Sequence, residues 1–95
     1  MRFEWDADKA ASNLKKHRVP FEEAVTAFYD PLAATFDDPE HSQEESRLIT
    51  VGYSAQDRLL VVCHVEGRGT VRLMSARRAT SRERKRHEDQ ESATI

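Results

Sequence analysis

The chain has 95 residues, of which 38% are hydrophobic and 34% charged, with a formal net charge of −2. So short a chain supports one domain rather than two, and it buries only part of its surface, which leaves it open to a covering partner. Its apolar runs exclude disorder by composition, its single cysteine (Cys63) excludes an internal disulfide framework, and no run approaches membrane-spanning length. With a polar Met1–Asp8 in place of a signal peptide, the expected location is the cytoplasm.

Arg2-Phe3-Glu4-Trp5 alternates polar and apolar and reads as a short strand. Asp6 suits an N-cap, because its carboxylate can accept from the free N–H groups of a first helical turn. The helix it opens is predicted to run to about Lys16. Its apolar stripe is Ala7, Ala10, Ala11 and Leu14, with Lys9, Asn13, Lys16 and His17 on the other side. Pro20 suits a first helical position, where no N–H is needed. A second helix follows to about Tyr29, with Phe21, Ala24, Val25 and Phe28 on one face and Glu22 and Glu23 at its positive end. Asp30-Pro31 stops it, and the two helices should form a helical hairpin.

Residues 32–36 read as a strand and 37–45 as an acidic loop. Three strand-like runs follow, at 47–53, 59–66 and 70–76, joined by hairpin connections at 54–58 and 67–69. A charged helix is predicted from Arg77 or Arg78 to about Glu91. The domain is accordingly 1–91, with a frayed tail at 92–95.

A three-residue loop at 67–69 would set Glu66 opposite Thr70, His64 opposite Arg72 and Val62 opposite Met74. One face then carries Leu59, Val61, Cys63, Val65, Val71 and Leu73, and should pack on the helices. The other carries Leu60, Val62, His64, Glu66, Thr70, Arg72 and Met74, and is the natural place for a site. A slip of one residue would put His64 and Arg72 into the core.

His17, His41, His64 and His87 are far apart, and no pair has metal-ligand spacing. No glycine-rich phosphate loop precedes a helix, and no G-x-S-x-G elbow is present. The expectation is therefore no metal and no cofactor. What remains is His64, Glu66 and Arg72, with Arg77 and Arg78 just beyond. These types suit metal-free cleavage of RNA: a base takes the 2′-OH proton, an acid protonates the leaving 5′ oxygen, and a cation stabilises the phosphorane. The competing reading is a cross-strand surface cluster. Charge adds a direction, because residues 1–66 sum to −6 and residues 67–95 to +4. Lys16 and His17 suit a helix C-terminus and could equally meet a phosphate. Trp5 reads as core rather than a base-stacking platform, and Cys63 as a small buried hydrophobe. The basic run 77–86 is a solvated helix, an RNA rim or a docking surface for an acidic partner.

Two long segments, FEWDADKAASNLKKHRVPFEEAVTAFYDP and RLITVGYSAQDRLLVVCHVEGRGTVRLMSARRATSRERKRHE, cover nearly the whole chain. In their order, F-x-W-D, N-x-x-K-H, F-E-E-A, H-S-x-E-E-x-R and S-A-R-R-A-T-x-x-E, the sequence resembles the BrnT toxin family. The resemblance implies an α+β, RelE-like fold: a curved antiparallel sheet with an N-terminal helical hairpin packed on one face and a C-terminal helix. It implies the toxin of a type II toxin–antitoxin pair, a metal-independent ribonuclease that blocks translation. The partners implied are RNA and a BrnA-type antitoxin. DNA would be contacted only through the antitoxin, and a dimer of toxin–antitoxin heterodimers is allowed. Carried over by position, the motifs fall on Asn13, Lys16 and His17, on Glu45 and Arg47, and on Ser75, Arg77, Arg78, Thr80 and Glu83. Three positions depart from the pattern: Pro20 replaces a frequent Ser cap, His87 a common aromatic, and Arg18 a frequent Gly, which should strain the turn after His17.

The site expected is His64 and Glu66 as acid and base with Arg72 and Arg77 as transition-state cations, and Lys16, His17, Arg47 and Arg78 holding substrate. The rival functions are a non-catalytic binding module, or a degenerate toxin acting only in complex formation and promoter autoregulation.

Overall fold

A computed structural model describes residues 1–39 and 46–93, with side chains through residue 90. The elements are β1 (Arg2–Glu4), α1 (Ala7–His17), α2 (Phe21–Ala27), β2 (Ala34–Asp37), β3 (Arg47–Tyr53), β4 (Leu59–Glu66), β5 (Thr70–Arg78) and α3 (Ser81–Ala93). The strands form one sheet in the order β1-β5-β4-β3-β2. β2 to β5 pair antiparallel, but β1 pairs parallel with β5. The sheet is therefore mixed rather than wholly antiparallel. No helix among the described residues is long and apolar enough to cross a membrane.

α2 folds as its pattern dictates. Pro20 is its N-cap rather than its first helical residue, and the Pro20 carbonyl accepts the Glu23 and Ala24 N–H groups at 3.1 Å each. Phe21 and Ala24 are buried, and Val25 and Phe28 pack on the same core with Leu60, Val62 and Leu73. The N-terminus is drawn in by aromatics, with Trp5 edge-on to Phe21 at 5.8 Å and Phe3 edge-on to Phe28 at 5.0 Å. Gly52 lets the end of α2 sit on β3, since a Cβ there would lie 2.6 Å from the Ala27 carbonyl oxygen. Buried Glu23 locks the other side, accepting from Ser54 Oγ at 2.7 Å and pairing with Arg58, whose guanidinium holds the carboxyl below its usual range.

α1 is rotated from the expected orientation. Of its predicted stripe, Ala7, Ala11 and Leu14 are exposed, while Asn13 is buried. Asn13 donates from Nδ2 to the carbonyls of Ala76 and Val19 at 2.9 Å each, and its Oδ1 accepts from the Ala76 N–H at 3.1 Å. β1 pairs only with residues 70–72, so beyond them β5 is a bare edge. The Asn13 amide serves there as one residue of a missing strand. Satisfying two buried backbone groups outweighs the small area three alanines could bury. Arg18 then closes α1 with φ 61°, its N–H donating to the Leu14 carbonyl at 2.9 Å. The strain expected at this non-glycine position is thus located in a left-handed C-cap.

The β4–β5 register also departs from expectation. Gly67 N–H donates to the Thr70 carbonyl at 2.9 Å, so the loop is Arg68-Gly69, with Gly69 at φ 71°. Glu66 pairs with Val71, Val65 with Arg72 and His64 with Leu73, one residue away from the expected register. A bulge at Met74 then shifts it once more, so Cys63 pairs with Ser75 and Val61 with Arg77. β5 also runs on to Arg78, past the predicted helix start.

Candidate active site

The bulge decides what each face of β5 carries. Regular alternation would place residues 72 and 77 on opposite faces. With one extra residue between Leu73 and Ser75, the strand sends Val71, Leu73 and Ala76 to the core while Arg72, Ser75 and Arg77 share the other face. β4 turns Leu60, Val62 and His64 toward the helices, and Val61 and Cys63 away from them.

On that second face lies an open groove of about 530 Å³. Its floor is Ile49, Val61 and Cys63, and its cations are Arg47 from β3, Arg77 from β5 and Lys9 from α1. Asp38, buried just after β2, lines it too, its N–H donating to the Arg47 carbonyl at 3.1 Å. Arg47 and Arg72 flank Val65 in the sheet, so two arginines stand abreast at one end. Under α3 the groove continues into a second hollow of about 290 Å³, which shares Ile49, Val61 and Arg77.

Arg77 is held in place. Its Nη1 and Nη2 donate to Glu83 Oε1 and Oε2 at 2.8 and 2.9 Å, and Nη1 also reaches the Arg78 carbonyl at 3.3 Å. Glu83 is itself fixed by a capping box. The Thr80 N–H donates to its Oε1 at 2.8 Å, and the Glu83 N–H donates to Thr80 Oγ1 at 3.2 Å. The Arg77 hydrogen bonds hold the Glu83 carboxyl down at about 2, so it is ionised whenever the protein is folded near neutral pH. An end-on carboxylate leaves the Arg77 Nε edge of the fork open, and that edge suits a phosphate. Cys63 is different. Burial first, then Asp38 with Oδ2 at 3.8 Å, pushes its thiol pKa up, which suits a packing role rather than a nucleophile.

The expected site residues divide. Arg47 and Arg77 line the groove and Arg72 stands on the same face, whereas His64 and Glu66 do not. His64 is a correction. It is fully buried on the helix side, its Nε2 2.7 Å from Thr50 Oγ1 and its ring edge-on to Phe28 at 4.9 Å. Leu73, not Arg72, is opposite it. The slip places it in the core, and Thr50 makes burial tolerable. Glu66 lies near His64, with Oε1 3.9 Å from Nδ1, away from the groove arginines. Lys16 and His17 sit at the far end of α1 from Lys9, beside Arg18, whose carbonyl accepts from Arg58 at 3.2 Å. Arg78 pairs with Leu60, and its charge is felt by Glu23. His41 and Glu45 lie outside the described residues. His87, which stands where the family pattern commonly has an aromatic, is buried beside Tyr53 at 6.2 Å between ring centroids.

Sequence reading missed Lys9 and Asp38 as groove residues. Lys9 shares a helix side with Asn13 in the expected pattern, so recognising Asn13 as the inward residue would have brought it in. Among the described residues, no three His, Cys, Asp or Glu side chains are grouped to hold a metal ion.

The class comes from the fold: a small α+β domain with a five-stranded mixed sheet and three helices. The crystal structure of the ribonuclease toxin BrnT from Brucella abortus is similar, with a TM-score of 0.68 at 20% identity over 85% of this chain and 99% of that one. The chain itself belongs to the BrnT family, described as the ribonuclease toxin of a type II toxin–antitoxin system, which it matches over residues 5–83. No curated protein matches the sequence.

Proposed function

We propose that this protein is a metal-independent, RelE-like endoribonuclease that cleaves RNA in the cytoplasm, arrests translation, and is neutralised by a BrnA-type antitoxin. The observation that carries the reading is the convergence of Lys9, Arg47 and Arg77 on one groove with an apolar floor, in a chain of the ribonuclease toxin family. The cations take a phosphodiester and the floor takes the rings beside it. The 2′ oxygen attacks the adjacent phosphorus and gives up its proton, for which Asp38 is the carboxylate among the described residues that line the groove. The P–O5′ bond breaks, and the 5′ oxygen leaves with a proton, which Lys9 is placed to supply. Arg47 and Arg77 carry the charge that gathers on the phosphorane oxygens. His64 and Glu66 take no part in this version of the reaction.

The test is a defined RNA incubated with the protein and a chelator. Cleavage leaving cyclic phosphate and 5′-hydroxyl ends is expected. Arg47→Ala and Arg77→Ala should each slow it by roughly 100-fold or more, the usual size for losing one stabilising donor. An unchanged rate in the double variant would remove the groove from the mechanism. Cleavage that needs a divalent ion would overturn metal independence. Binding without product would favour the non-catalytic module.

A further inference from the structure

We propose that the hollow beneath α3 is a nucleobase subsite, which takes one base of single-stranded RNA beside the phosphate held at Arg77. The proposal rests on the ribonuclease reading and names a substrate feature for the same groove. The hollow holds about 290 Å³, room for a base and part of its ribose. Its sheet side is apolar, built from Ala34, Phe36, Val51 and Val61. Its helix side is polar, with Arg86 and Gln90 facing inward from α3. A nucleobase has the same division, with apolar faces and a hydrogen-bonding edge.

Phe36 is the central residue. It sits on edge strand β2 opposite Ile49, on the groove side of the sheet, and remains 50% exposed. An aromatic ring left half in water at the mouth of a groove is a stacking platform, and stacking tolerates any base. Arg77 lines both hollows, so a phosphate on it lies next to whatever fills the second. Glu83 lines the hollow too and is paired with Arg77, so Arg86 leaves the lining with a net positive charge, which favours an occupant that brings negative charge, as a nucleotide does. The competing occupant is a side chain of a protein partner.

The test uses a short single-stranded RNA with 2′-methoxy groups, which binds without being cleaved, and a set carrying one abasic position each. Binding to wild-type and Phe36→Ala protein is read by fluorescence anisotropy. Phe36→Ala should weaken binding of the intact RNA about 10-fold, the size of one lost base stack. One abasic position should cost the wild type a similar factor, and there the substitution should do nothing more. Phe36→Trp should keep affinity, with indole emission quenched by the intact RNA and not by the RNA abasic at that position. No effect, an equal effect on every RNA, no RNA binding at all, or weakened binding only of a protein partner would overturn the subsite. Cleavage of ordinary RNA by the wild type is measured in parallel. Cleavage without Phe36–base coupling sinks the subsite alone. Coupling without cleavage keeps the subsite and sinks the ribonuclease reading.

Discussion

Inside the core, His64 has the largest consequence for solution behaviour. Burial lowers its pKa from 6.5 to about 4, and the Glu66 carboxylate 3.9 Å away does not reverse this. Between those values the unfolded chain takes up a proton that the folded chain refuses. Stability is therefore complete above pH about 6.5 and falls as the pH drops toward 4, by on the order of 3 kcal/mol if the shift is fully expressed. Urea unfolding at pH 7 and pH 4.5 measures it. His64→Leu should lower stability at pH 7, because Thr50 Oγ1 loses its bond to the ring and keeps the one to Thr35 Oγ1, yet flatten the slope in that window. An equally steep slope in the variant would assign the effect to other groups.

The elements that were legible in the sequence are those whose large side chains set the period. α2 shows its buried face because Phe21 and Phe28 anchor it, and the strands show theirs through runs of Leu, Val and Ile. α1 misleads because an alanine stripe has little area to hide, while one amide can satisfy a bare strand edge. The same amide predicts a cost. Asn13→Ala leaves the Ala76 N–H and carbonyl buried without their partner, and should destabilise the fold by roughly 3 kcal/mol at one to three per orphaned group. Chemical denaturation tests this, and a loss below about 1 kcal/mol would mean that water or another group replaces the amide. The candidate site was harder to read than the fold. A loop one residue shorter than assumed moved His64 inward, and an unsignalled bulge moved Arg77 to the face of Arg72. Neither event changes composition or local propensity, so neither leaves a mark in the pattern.

Across the whole molecule, the basic last third does not act alone. Two of the three groove cations, Lys9 and Arg47, come from the stretch that sums to −6, and only Arg77 from the stretch that sums to +4. The acidic remainder should discourage contact with RNA elsewhere. If these three cations neutralise the phosphates, the logarithm of affinity should fall with the logarithm of salt at a slope near −2, from about 0.7 per contact on a single strand. Titration over a range of salt reads it directly, and a slope of about −4 or steeper would show that α3's outer lysine and arginines bind as well. The extra residue in β5 also bears on the gene. A codon change at Met74 alters one side chain. Loss of that codon would remove the bulge yet leave Ser75, Ala76 and Arg77 on the faces they hold, because residues 73, 75, 76 and 77 would then simply alternate. A codon gained after Ser75 would instead point Arg77 at the helices and Ala76 into water, so this stretch of coding sequence can shorten by that one codon but not lengthen by one.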